Sequence, residues 1–417
     1  MMDVGGLVAN RRKIYEIKKV LGRDPLPLAL LKMLLISLQF LASIIVYKSK
    51  KSSKKKKIII FTNLYYTGNP RTVFERILED PSLREKYEVY WMAQQLSTFF
   101  DLRKNSIPVL YKNGLLGIKK YINADLWVLA HRGAWNVPFF MQNKFNKIPK
   151  IQLWHGVGPK GITFKTEDYK NYLAFCVPSE FIKKRHVELW NAPVDRIHVT
   201  GEPKIDYLLK LARIPPNELI LKLNISRLKI KNTSKFILYA PTFDGDLWPW
   251  GNPNEGFGEL SGFLEKWDAY LLVRLHPYDN SYKTLKKIVK KYKNIIDVSM
   301  WKFPDTMYLL AASHILITDW SSIYTDFSVL NRPIIFLNVN PESFTEKRGK
   351  SLVPPEMRPG IIVNNKEDLL NALSLALTDK WPQEKIKEVR DFVDIIHYKL
   401  DGKSSERVIS LIKKFMK

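Results

Sequence analysis

The sequence predicts an α/β protein built from two doubly wound, Rossmann-like domains facing a central cleft. Short apolar runs rich in Ile, Val, Leu and Tyr recur along the chain. Most are continuous rather than alternating, as strands buried on both faces require. Helical stretches separate them, which is the βα rhythm of parallel sheets. A polar, proline-containing stretch at 213–234 divides the series in two, and 417 residues suit two domains of ordinary size.

In chain order, residues 1–57 stand apart. There is no acidic residue between Pro25 and Phe74. Residues 28–46 read LALLKMLLISLQFLASIIV and are followed by a lysine run up to Lys57. As a helix those residues span about 28 Å, close to a hydrocarbon core. A secretory leader would carry a small-residue cleavage site. A spanning helix must accommodate Lys32 and Gln39. A helix in one leaflet fits best: Lys32, Gln39 and Ser43 share a face, and the lysine run meets anionic lipid at about 1 kcal/mol per residue. A buried helix of the first domain is the plain alternative.

The first domain, 58–212, has strands predicted at 58–63, 88–93, 108–111, 126–130, 151–154, 174–177 and 197–200, with helices at 115–122 and 180–190. After the linker, the second domain at 235–380 has strands at 236–240, 270–274, 295–298, 315–318, 334–337 and 361–363. Helices are expected at 282–292, 305–312, 322–330 and 366–377, and another at 383–392 within the C-terminal segment 381–417.

Composition narrows the function. The net charge of +26 favours polyanions, either nucleic acid or an anionic membrane surface, and no nucleic-acid recognition motif is found. A single cysteine, Cys176, excludes an internal disulfide and a cysteine-based zinc site. No DxD-like metal motif stands out, so no metal or other cofactor is expected.

The residues suited to chemistry follow predicted strands, where open α/β sheets bind ligands. In Gln152-Leu-Trp-His-Gly-Val-Gly-Pro-Lys160, a histidine before Gly and Pro positions suits a tight turn exposing the imidazole. His155 is a candidate general base, Gly156 offers backbone, and Lys160 a point charge for phosphate. In Val273-Arg-Leu-His-Pro277, Arg274 and His276 alternate from a strand end, and the arginine fork suits phosphate oxygens. In Ile317-Thr-Asp-Trp-Ser-Ser322, Ser321 and Ser322 open a helix whose N-terminus attracts anions. Ordinary N-capping by either serine is the plain alternative. Asp319 would oppose a diphosphate unless it held a hydroxyl, a base or a cation. Thr242, Arg348 and Arg358 are weaker phosphate candidates, and the loop Trp248-Pro-Trp250 is read as acceptor contact or loop packing.

Taken in order, WHGVGPK, GEPKIDYL, LYAPTF, RLHP, TDWSSIYTDF and RPIIFL resemble the CDP-glycerol glycerophosphotransferase family of teichoic-acid and capsule synthesis, over 57–377. The resemblance implies a GT-B enzyme at the cytoplasmic face of the cell membrane. An acceptor domain would come first and a CDP-glycerol domain second. It places His155 and His276 on two essential family histidines, and Asp319, Ser321 and Ser322 on the segment holding the donor. Many relatives read WHGTPLK, so the acceptor is less defined than the donor. The short N-terminal region points to a primase adding glycerol phosphate to a lipid-linked, prenyl-diphosphate glycan. His155 would deprotonate the acceptor. His276, with Arg274 and the serines, would stabilise departing CMP. A polymerase, a ribitol-phosphate enzyme and a nucleotide-sugar GT-B transferase are the alternatives.

Overall fold

The computed structural model describes residues 56–131, 136–138, 141–158, 170–223, 230–242, 247–276, 279, 281–339 and 351–417. The first half runs β1 (Lys57–Thr62), α1 (Gly68–Glu79), α2 (Pro81–Lys86), β2 (Tyr87–Ala93), α3 (Leu96–Lys104), β3 (Val109–Tyr111), α4 (Leu115–Ile122), β4 (Leu126–Leu129), α5 (Gln142–Lys147), β5 (Lys150–Gln152), β6 (Tyr172–Val177), α6 (Glu180–Trp190), β7 (Ile197–Val199), α7 (Pro203–Leu211) and α8 (Pro216–Lys222). The second runs β8 (Lys235–Ala240), α9 (Pro253–Glu265), β9 (Ala269–Val273), α10 (Tyr282–Lys291), β10 (Ile295–Asp297), α11 (Thr306–Ala312), β11 (Ile315–Thr318), α12 (Ile323–Ser328), β12 (Ile334–Leu337), β13 (Ile361–Val363), α13 (Lys366–Leu377), α14 (Gln383–Ile396) and α15 (Ser404–Phe415).

Each half holds one sheet, ordered β3-β2-β1-β4-β5-β6-β7 in the first and β10-β9-β8-β11-β12-β13 in the second. Every pairing is parallel. Strand order reverses beside β1 and beside β8, so each sheet has a crevice there at its C-terminal edge, between β1 and β4 or between β8 and β11. The strands are sandwiched by helices, which explains why Leu126–Leu129 and Ile334–Leu337 are buried throughout.

Local chemistry sets the helix limits. Ser179 caps α6 by accepting from the Ile182 amide, and Asn191, left-handed at φ 49°, ends it. The stretch read as a linker contains α8, which packs with α7 against α11 of the second half. The C-terminal helices do not stay with the second domain. After α14, the Tyr398 amide donates to the Pro178 carbonyl. Then α15 buries Val408, Ile409 and Ile412 against Ile59, Phe61 and Val73 of the first half. Asp206 accepts from the Ser404 and Ser405 amides and fixes the start of α15.

The apolar, basic segment at 28–46 and the lysines after it lie outside the described residues. Among the described residues, no helix is long and apolar enough to cross a membrane.

Candidate functional site

Residues 153–158 leave β5 as a turn at the boundary between the halves. Trp154 takes a left-handed backbone, φ 58°, which is costly for a bulky residue and persists only when its surroundings impose it. Its indole is buried against Phe175, His186 and Trp190, at ring distances of 6.0, 5.5 and 5.7 Å. With Trp154 turned inward, His155 is exposed. Its imidazole stacks on His131, with centroids 4.2 Å apart and planes 23° apart.

His131 follows β4 and lies beside the switch point of the first sheet. Burial, reinforced by His276, pushes it down to about 4, so it is neutral at physiological pH. Three histidines from three strand ends, two in the first half and His276 after β9 in the second, therefore gather in one place. His131 was missed in the sequence, where HRGAWN after a strand offered only its position as a signal.

The two glycines of the turn serve close approach. A Cβ on Gly158 would lie 2.7 Å from Ser322 Cα and closer still to its Cβ. A Cβ on Gly156 would lie 3.3 Å from Ser322 Oγ and 3.4 Å from Lys204 Nζ. Thr325 of α12 donates to the Val157 carbonyl at 2.7 Å. The loop is thus wedged against the start of α12, and Gly156 meets the opposite half. Ser321 and Ser322 are half-buried there, and no serine side chain caps the helix, which has six residues.

Several expected ligands are engaged within the protein. Arg274 was expected to reach phosphate. It is 7% exposed and donates instead to the carbonyls of Val298, Phe303 and Pro304 and to the Thr306 hydroxyl. Burial pushes its guanidinium down to about 10. Asp319 and Thr242 were also expected on the donor. The Asp319 carboxylate accepts from the Thr242 amide and hydroxyl and from the Trp320 amide, joining β8 to β11 across the second sheet's crevice. These three residues build the crevice floor and its loop rather than reaching out. Trp248 is likewise packed, edge-on to Trp250 and beside Phe257. Lys160 and Arg348 lie outside the described residues.

Arg358 has a stronger claim than its sequence context suggested. Its guanidinium lies over the Trp320 ring at 4.0 Å, and its buried Nη1 has no hydrogen-bond partner. A buried arginine donor without a partner, on the residue stacked over Trp320, is the kind of group that a phosphate oxygen satisfies. The arrangement as a whole offers an exposed imidazole on one side of the boundary, with a histidine, a serine pair and an arginine on the other.

A model of the CDP-Glycerol:Poly(glycerophosphate) glycerophosphotransferase family matches residues 44–414. The chain belongs to this family. It is 27% identical over 277 residues to the teichoic acid poly(ribitol-phosphate) polymerase of Bacillus spizizenii, covering 63% of this chain and 42% of that protein. It is 25% identical over 380 residues to the teichoic acid glycerol-phosphate transferase of Staphylococcus aureus, covering 85% and 91%. Four of the matched polymerases are much longer, and the chain spans 42%, 48%, 59% and 51% of them. In structure, a CDPG-soaked variant of the wall teichoic acid polymerase TagF aligns over 100% of this chain and 98% of that one, at TM-score 0.67 and 20% identity. That likeness establishes the fold: two parallel-sheet halves in the GT-B-like arrangement.

Proposed function

We propose that this family member transfers glycerol phosphate from CDP-glycerol to a prenyl-diphosphate-linked glycan, releasing CMP, as a primase of teichoic-acid-type polymer synthesis. The observation that carries the reading is His155, exposed on a turn that both halves hold, with His276 at a strand end of the opposite half. His155 takes the proton of the acceptor hydroxyl. The hydroxyl oxygen attacks the β-phosphorus of CDP-glycerol, and the bond to the oxygen bridging the two phosphorus atoms breaks. CMP departs with that oxygen, and His276 stabilises or protonates it. Ser321, Ser322 and Arg358 hold the diphosphate by charge and hydrogen bonds. Positioning and charge neutralisation are the main requirements of phosphoryl transfer.

The basic, apolar segment ahead of β1 holds the enzyme at the cytoplasmic face of the membrane, where a lipid-linked acceptor resides. Near-complete coverage of a glycerol-phosphate transferase supports glycerol phosphate as the transferred unit, and equally full coverage of a poly(glycerol phosphate) polymerase keeps polymerisation as an alternative outcome. Similarity to a ribitol-phosphate polymerase supports a second reading, in which the transferred unit is ribitol phosphate.

Incubation with CDP-glycerol or CDP-ribitol and a synthetic prenyl-diphosphate disaccharide tests this. The expected product is heavier by one glycerol phosphate, with stoichiometric CMP. A ladder of additions would replace primase with polymerase, and a ribitol-phosphate product would replace the donor. No CMP from either donor would reject the reading.

A further inference from the structure

Behind the His155 turn lies a polar cluster that the chemistry above does not use. Lys204, in the first turn of α7, is 1% exposed. Its ammonium lies 2.7 Å from the Asp326 carboxylate of α12 and 3.4 Å from Glu202 Oε1. It also donates to the His155 carbonyl at 3.1 Å. Burial opposes the charge on Lys204, but the two carboxylates outweigh it and hold the ammonium above its ordinary range. Apolar side chains of similar volume would often serve stability as well as a buried ion pair does. What they would not supply is a donor for the His155 backbone.

The rest of the turn is held in the same way. Asn69 Nδ2 donates to the Leu153 and Trp154 carbonyls, and its Oδ1 accepts from the Lys204 amide. From the second half, Thr325 donates to the Val157 carbonyl and the Val353 amide to that of Gly158. The carbonyls on the His155 side are thus held by the first half, and those beyond Gly156 by the second. Lys204 is where the two sets join, because Asp326 grips it from across the boundary.

We propose that Lys204 is a positioning residue for His155: its ammonium ties the His155 backbone to Asp326 of the opposite half, so the imidazole is set for proton transfer only when the halves are docked. The proposal rests on reading His155 as the base. Catalytic competence is thereby coupled to domain closure through a buried cation rather than through the substrate alone.

Three variants of the full chain test it: Lys204→Arg, Lys204→Met, and Lys204→Met with Asp326→Asn. The last removes the carboxylate that the single change leaves unpaired. Turnover, KM for CDP-glycerol and the His155 imidazole carbon resonance are measured, the resonance being assigned by its loss in His155→Ala. In the double variant, kcat is expected to fall about 100-fold or more, with KM for CDP-glycerol within about threefold. The His155 resonance shifts or broadens, and Lys204→Arg keeps kcat within about tenfold of the parent. A folded double variant with parental kcat and an unmoved resonance overturns the proposal. So does equal loss in the Arg and Met variants with KM rising in step, or failure of both Met-containing variants to melt cooperatively; Lys204 is then purely structural. If the parent releases no CMP from CDP-glycerol, it is the functional reading that fails. The resonance then decides the positioning role by itself.

Discussion

Asp319 shows how a residue's surroundings decide its use. Its carboxylate faces the crevice, yet it accepts from two donors of Thr242 and one of Trp320. The carboxylate is thereby held by donors of the sheet rather than turned toward a diphosphate. Asp319→Ala leaves those buried donors without an acceptor, and the expected loss is about 3 kcal/mol, read as a lower denaturant midpoint at unchanged slope. An unchanged midpoint would return Asp319 to a ligand role. The sequence made its strand-end position legible, as it did for Arg274. It held no sign of which neighbours would take up their hydrogen bonds. Arg274 is taken up by carbonyls of Val298, Phe303 and Pro304, which the pairing of β10 with β9 sets beside it. His155 kept its expected exposure because the left-handed Trp154 sends the neighbouring side chain inward.

At the scale of elements, the turn at 153–158 and α12 are fitted to each other. Gly158 has no room for a side chain beside Ser322, whereas Gly262 of α9 has nothing within 4 Å. Gly158→Ala is expected to lower turnover at least about tenfold by pushing the turn off α12, at a cost of about 1–3 kcal/mol in stability. Gly262→Ala should leave turnover alone and stabilise its helix by about 0.5–1 kcal/mol. Equal turnover in the two variants would mean that the turn need not touch α12. Strands were the most legible elements, because most of the parallel strands are near-continuous apolar runs. All thirteen lie within a few residues of their expected places. The helices α1, α2, α3, α5, α7 and α9 were not assigned; α1 and α9 are as long as α13, but each opens on Gly, Asn and Pro positions that read as turn. Within the polar 213–234 stretch, Leu219 and Ile220 bury α8 against the core. The prolines before that helix and the interspersed lysines and asparagines after it hid it in a stretch that reads as linker.

At the scale of the molecule, the halves are joined by side chains distant in sequence. Arg71 of α1 reaches Asp305 at 2.7 Å, and α15 returns from the second half to the first. Such returns are set by tertiary packing, and no local pattern encodes them. Buried histidines also make the fold sensitive to acid. Burial pushes His186 down to about 4 and also lowers His397 at the boundary. Both are below the unfolded value near 6.5, so their contribution is complete above pH 6.5 and is lost as pH falls toward 4. Melting temperature should therefore drop between pH 6.5 and 4.5. His186→Gln should remove about 2 kcal/mol of that dependence, because the unfolded state then gains less by taking up protons. A parent whose melting temperature is flat over that interval would contradict the burial of these rings.

The most direct measurement of the central claim is CMP release by His155→Ala beside the parent, with CDP-glycerol and a prenyl-diphosphate disaccharide. The predicted result is a fall in turnover of about 10²–10⁴-fold with CDP-glycerol affinity within about threefold, since a base is lost while the donor site stays intact. Turnover close to that of the parent would contradict the assignment of His155 and the account of the turn built around it.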